Sequence, residues 1–195
     1  MRIGIMGGTF DPIHNGHLLA AERVGEEASL DEVWFMPANV PPHKRSQPHT
    51  TALHRLRMVE LAIEDNRRFR ISDIEIRKGG TSYTIDTMTE LCAKHPNDEF
   101  NYIIGADMVM YLPNWYRIDE LARKVTFIGV GRPGYTLNMQ ELMPELQHKI
   151  RIVSMPMMEI SSTHIRDRYR DGKSIRYLVP DAVLDYIEVN RLYDV

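Results

Sequence analysis

The chain is short of the features that mark several large protein classes. One of its 195 residues is cysteine, Cys92, so no intrachain disulfide can form, and such usage fits a reducing compartment. No apolar stretch approaches the roughly 20 residues of a membrane span. The N-terminal "MRIGIMGGTF" reaches its glycines before it could build the apolar core of a signal peptide. These absences predict a cytoplasmic protein with no membrane partner. Positive charge is not in excess either: 24 Lys and Arg stand against 27 Asp and Glu, a formal net charge of −3. A chain built to coat nucleic acid is normally basic, so no nucleic-acid partner is expected. No internal repeat or low-complexity segment interrupts the sequence.

What is present is an alternation of strand-like and helix-like segments. Strand patterns run over 2–6, 32–37, 69–76, 99–105, 124–134 and 150–156. Between and after them lie helical patterns at 16–28, 51–66, 85–95, 161–172 and 180–190, the first two with apolar residues recurring at helical spacing. The fourth strand runs directly into 106–123, and 38–50 is a polar, Pro-rich loop. The alternation predicts an α/β fold, a Rossmann-like doubly wound parallel sheet with helices on both faces. The length fits a single domain over 1–195, with the helices after about 161 packed on the same sheet. In such sheets ligands bind beyond the carboxyl ends of the strands.

The first such end carries "GGTFDPIHNGH", Gly7 to His17. Gly7 and Gly8 let a phosphate approach backbone N–H groups, and the helix that follows adds a favourable dipole. No Gly-Lys-Ser/Thr follows, so this turn is not a P-loop, and it does not have the dinucleotide G-x-G-x-x-G spacing. A plain strand-to-helix turn needing positive φ is the alternative. His14 and His17 flank Gly16 at the mouth of the helix, three residues apart, where both imidazoles can reach one side. A zinc role is disfavoured, because the i,i+4 spacing and glutamate of H-E-x-x-H are missing and no cysteine cluster adds ligands. Acid–base work, phosphate gripping and simple capping stay open.

A second candidate anion site is "EISSTHIRDRYR", Glu159 to Arg170. Ser161, Ser162 and Thr163 open a helix, where hydroxyls cap or donate, and Arg166 lies about one turn in, where a guanidinium makes several bonds to a phosphate. An ordinary N-cap with a solvated arginine face is the alternative. The segment follows the last strand as the glycine turn follows the first, so both can face one cleft. The remaining charges of 166–174 are read as a solvated face, and Cys92 as inert core.

Together, "GGTFDPIHNGH" and "ISSTHIR" resemble the H-x-G-H and I-S-S-T-x-I-R pair of the nucleotidyltransferase superfamily. "PANVPPHK", "SYTIDTM", "IIGADM" and "NWYR" narrow the resemblance to the bacterial nicotinate-nucleotide adenylyltransferase family, over essentially the whole chain and in order. The resemblance implies adenylyl transfer from ATP to nicotinate mononucleotide, giving nicotinate adenine dinucleotide and pyrophosphate. It implies catalytic roles for His14, His17, Lys44 and Arg166. ATP would be bound by Gly7, Gly8, Thr9, Phe10, His14, His17, Gly105, Asp107, Ser161, Ser162, Thr163 and Arg166. Nicotinate mononucleotide would meet Lys44, Thr84, Met108, Tyr111 and Trp115, with Trp115 stacked on the pyridine ring. Asp107 would accept from the ATP ribose, its alternative being a helix N-cap. Mg²⁺ would arrive with ATP, held by phosphates and water and by no protein ligand directly.

Three rivals are weighed against this reading. Phosphopantetheine adenylyltransferase shares the histidine turn but has no need of "SYTIDTM" or "NWYR". A cytidylyltransferase would differ in its base pocket. A nucleotide-binding module without turnover is opposed by intact His14, His17 and Arg166. The partners expected are therefore ATP and nicotinate mononucleotide, and a homodimer is compatible with the sequence.

Overall fold

A computed structural model describes residues 1–42, 48–131, 140, 142–156 and 158–194. Six parallel strands form one sheet: β1 (Arg2–Gly8), β2 (Glu32–Pro37), β3 (Phe69–Ile71), β4 (Glu99–Gly105), β5 (Thr126–Gly131) and β6 (Ile150–Ser154). Their order is β3-β2-β1-β4-β5-β6. The direction of winding reverses between β1 and β4, which pair in parallel from Arg2↔Glu99 to Met6↔Ile103. A doubly wound sheet opens its ligand crevice at such a reversal.

Alternation along the strands feeds two apolar layers. Met6, Val33, Phe35, Ile103 and Ile128 point to one side. There they meet α1 (Asn15–Glu27), α2 (Ala52–Ile63), α8 (Ser162–Arg170) and α9 (Asp181–Val189), through residues such as Val24, Val59, Ile165 and Val183. Ile3, Ile5, Met36, Phe100, Tyr102 and Phe127 point to the other side. They pack on α4 (Thr84–Lys94), α5 (Ala106–Val109), α6 (Ile118–Ala122) and α7 (Pro144–Gln147), through Met88, Val109, Leu121 and Leu146. The first layer draws on residues from Met6 to Leu192, so both ends of the chain share one core. Among the described residues no helix is long and apolar enough to cross a membrane.

Two local expectations change. The strand expected over 69–76 stops at Ile71, and Ile74–Lys78 is instead a short helix, α3. Ser72 N–H makes a ladder bond to Phe35 O at 2.8 Å, but β2 then ends at Pro37, which has no N–H to continue the ladder. Ile74 and Glu75 are both buried in that short helix. The segment 106–123 is broken. Pro113 sits in a 3₁₀ turn over Leu112–Asn114, and Arg117, at φ 53°, separates that turn from α6.

Phe35 is fully buried, with ring centroids 5.9 Å from Phe10 and 5.1 Å from Phe69. It ties the glycine turn to β2 and β3. Phe35→Ala is expected to cost about 3–5 kcal/mol, read as a lowered urea midpoint at unchanged slope.

Candidate active site

Glycines stand at or next to the carboxyl ends of three neighbouring strands: Gly7 in β1, Gly105 in β4 and Gly131 in β5 all line one cavity of about 700 Å³. The close approach at Gly7 is set by Tyr102. A Cβ placed on Gly7 would lie 2.1 Å from the Tyr102 hydroxyl. That hydroxyl is also hydrogen-bonded to Thr84, the first residue of α4, and burial raises its pKa. Tyr102 is therefore a wall of the cavity, with Thr84 joined to it from behind.

His14 is the N-cap residue of α1. Its backbone N–H donates to His17 Nδ1 at 3.3 Å, which in the neutral ring puts the His17 proton on Nε2. The two rings stack, with centroids 3.6 Å apart and planes 21° from parallel. The edge of Phe10 meets His17 at 5.1 Å. Gly16 makes room for the stack, since a Cβ there would come within 3.1 Å of His14 Nδ1. Capping and cavity lining thus coincide in the same two histidines. His14 is only 6% exposed, and burial pushes its pKa down to about 4, because the charged imidazolium loses more hydration than the neutral ring.

The start of α8 closes the other side. Ser161 is its N-cap and accepts from His164 N–H at 3.1 Å. Ser162 Oγ donates to Pro12 O at 2.8 Å, and Arg166 Nη1 donates to Asp11 O at 2.7 Å. Arg166 Nη2 reaches Thr163 Oγ1 at 3.3 Å, while its buried Nε has no partner among the described residues. The proton of Ser162 is committed to the histidine turn. That leaves the guanidinium edge, backbone N–H groups and the Ser161 and Thr163 hydroxyls as donors this helix can offer a ligand.

Of the sequence candidates, Gly7, His14, His17, Gly105, Asp107, Met108, Trp115, Ser161, Ser162, Thr163 and Arg166 line the cavity. Gly8, Thr9 and Phe10 lie beside it without lining it; the Phe10 ring, buried against His17 and Phe35, comes within 3.0 Å of where a Gly8 Cβ would be. Thr84 stands behind Tyr102, and Tyr111 is 44% exposed outside the lining. Lys44 lies outside the described residues. Asp107 is not the N-cap of α5; that position is Gly105, and Asp107 sits in the first turn. A Cβ on Gly105 would be 2.5 Å from Asp107 Oδ1, so the carboxylate folds over that glycine. Trp115 is half-buried, its ring edge-on to Tyr102 at 5.8 Å and to Phe127 at 6.5 Å.

Sequence reasoning missed Tyr102, the apolar wall of Met155, Pro156 and Ile160, and two buried charged residues, one within the glycine turn and one packed against it. Arg55, 1% exposed, donates to Thr9 O at 2.7 Å and Asn39 O at 2.9 Å, clamping two loops together. Asp11, 2% exposed, is the other. A polar residue inside an otherwise apolar strand, or an arginine on the apolar stripe of a helix, was the available signal.

A cytidylyltransferase-like family model matches residues 5–168. The nicotinate-nucleotide adenylyltransferase of Bacillus subtilis (strain 168) is 47% identical over 193 residues, 99% of this chain and 98% of the relative. The chain belongs to the nicotinate-nucleotide adenylyltransferase family. The fold agrees with a solved member. Plasmodium falciparum nicotinic acid mononucleotide adenylyltransferase complexed with NaAD superposes with a TM-score of 0.80 at 23% identity, over 98% of this chain and 97% of that one. The same protein complexed with APC gives 0.79 at 22%, over 98% and 96%. Across this family likeness the H-x-G-H turn of the present chain carries an uncharged His14, and that makes a pH prediction. Below about pH 6.5 the unfolded ring takes up a proton that the folded ring refuses until about pH 4. Stability is therefore lost as pH falls through that window, by up to about 3 kcal/mol from this group. His14→Asn should flatten the slope of unfolding free energy against pH by about one proton between those limits, measured by urea titrations across the range.

Proposed function

We infer that the chain transfers the adenylyl group of ATP to nicotinate mononucleotide, forming nicotinate adenine dinucleotide and pyrophosphate. The observation that carries this reading is one cavity at the winding reversal, into which the histidine pair of α1 and Arg166 of α8 converge. Family membership at 47% identity over nearly the full chain supports the choice of substrates.

The nucleophile is the mononucleotide phosphate. Its second pKa near 6 leaves it largely dianionic at neutral pH, so no base is needed to activate it. The work is to bring like charges together and to stabilise the charge that builds on the leaving pyrophosphate. His17, with its proton on Nε2, donates to the α-phosphate region. His14, held neutral by burial, braces that ring by stacking. Arg166 and the first turn of α8 hold the β- and γ-phosphates and then the pyrophosphate. Asp107 accepts from the ribose, Met155 and Ile160 flank the adenine, and Trp115, with Tyr102 and Thr84 behind it, walls the pyridine side.

Among the described lining residues the donor set is imidazole, hydroxyl and guanidinium, with Asp107 as the single carboxylate. Such a set fits an Mg²⁺ that would be carried by phosphate oxygens and water rather than by protein carboxylates. Mg²⁺ supplies neutralisation of phosphate charge when bound. ATP as substrate and the single cysteine support a cytoplasmic enzyme, and the acidic net charge speaks against a nucleic-acid partner.

Pyrophosphate release from Mg-ATP tests the reading directly. Release is expected with nicotinate mononucleotide and much less with the nicotinamide form. Release only with 4′-phosphopantetheine would replace the acceptor, and none with any acceptor despite ATP binding would favour a binding module. His17→Ala is expected to lower kcat about 100-fold or more while mononucleotide affinity stays near wild type. Equal losses in both would contradict a transition-state role.

A further inference from the structure

Asp11 belongs to the quoted turn, yet it does not line the cavity. Its carboxylate is buried and receives three donors. His49 N–H reaches Oδ2 at 2.7 Å, and Thr50 Oγ1 and the Tyr193 hydroxyl reach Oδ1 at 2.7 and 2.8 Å. These donors come from sequence separations of 38, 39 and 182 residues. The main chain of the same residue is held too, because Arg166 docks on the Asp11 carbonyl and Ser162 on the next, that of Pro12. His14 follows two residues later. Whatever orients the Asp11 peptide therefore orients Arg166, Ser162 and His14 together.

The tail that supplies Tyr193 is itself anchored. Leu192 is buried in the first apolar layer, and Arg191 and Tyr193 both adopt positive φ, 49° and 71°. Non-glycine residues hold that conformation when surrounding contacts require it, and here the contact it allows is the one to Asp11. Burial beside Asp11 raises the pKa of the Tyr193 phenol, so it keeps its proton as a donor.

We propose that Asp11, held by the Tyr193 hydroxyl from the C-terminal tail and by Thr50, is a positioning residue that sets Arg166 and His14 for the phosphates of ATP and for pyrophosphate. The proposal rests on reading the cavity as the phosphate site. No group of the Asp11 side chain touches the reacting atoms; it acts through the two carbonyls on which α8 is docked. The C-terminal tail thus braces, from outside the cavity, the turn that carries the two histidines.

Tyr193→Phe removes the one hydroxyl and keeps the ring. Losing a hydrogen bond of ordinary worth weakens the positioned state by about fivefold. Pyrophosphate affinity by calorimetry is expected to fall about that much, and kcat/KM for ATP likewise, with KM for nicotinate mononucleotide within about twofold. Thr50→Val removes a second donor from the same carboxylate oxygen and should reproduce this pattern. Wild-type pyrophosphate affinity in either folded variant would overturn the proposal, as would equal losses for both substrates that track a fall in Tm. Should Tyr193→Phe fail to fold, Thr50→Val decides on the same criteria. A wild-type chain that bound pyrophosphate but made no dinucleotide would refute the assigned reaction, while the variants' pyrophosphate affinities would still judge the positioning role.

Discussion

The docking of α8 onto two successive carbonyls of the histidine turn is the contact on which the site depends. Arg166 on Asp11 O and Ser162 on Pro12 O join residues 155 and 150 positions apart. A guanidinium donating to a neutral carbonyl keeps its full positive charge and has further N–H groups to offer. A carboxylate in the same place would have cancelled that charge. The arrangement fixes the cation without neutralising it, which is what binding a polyanion requires.

The same economy of charge governs the histidines. Stacking two imidazoles at 3.6 Å would be repulsive if both were protonated. Burial resolves the conflict by holding His14 neutral. The two rings can then lie in contact without charge repulsion. Beneath it, Arg55 satisfies the carbonyls of Thr9 and Asn39 and lies close enough to Asp11 for the two charges to stabilise each other. Removing either partner would leave an uncompensated buried charge, a more severe loss than a surface ion pair such as Lys173–Asp171.

Much of the architecture was legible because parallel sheets covered on both faces leave apolar strands separated by amphipathic helices. The strands at 2–6, 32–37 and 99–105 needed only that pattern. The segment 69–76 did not follow it. Its end depends on Pro37 in the neighbouring strand, a constraint no local window contains. Asp107 carried a capping signal, but the N-cap is Gly105, since the helix starts two residues earlier than capping by Asp107 would need. Tyr102 reads as one more strand aromatic until the sheet brings its hydroxyl over Gly7.

By itself the sequence determined the alternating α/β order, the two anion-suited helix starts and the family to which the chain belongs, since periodicity and motif spacing are local properties. Only the tertiary structure decided that His14 is neutral, that the Ser162 hydroxyl donates to the Pro12 carbonyl, and that Tyr193 reaches Asp11 across nearly the whole length of the chain. Desolvation and hydrogen-bond pairing depend on what surrounds a group in space, and residues 182 positions apart become neighbours only when the sheet and its two layers have formed.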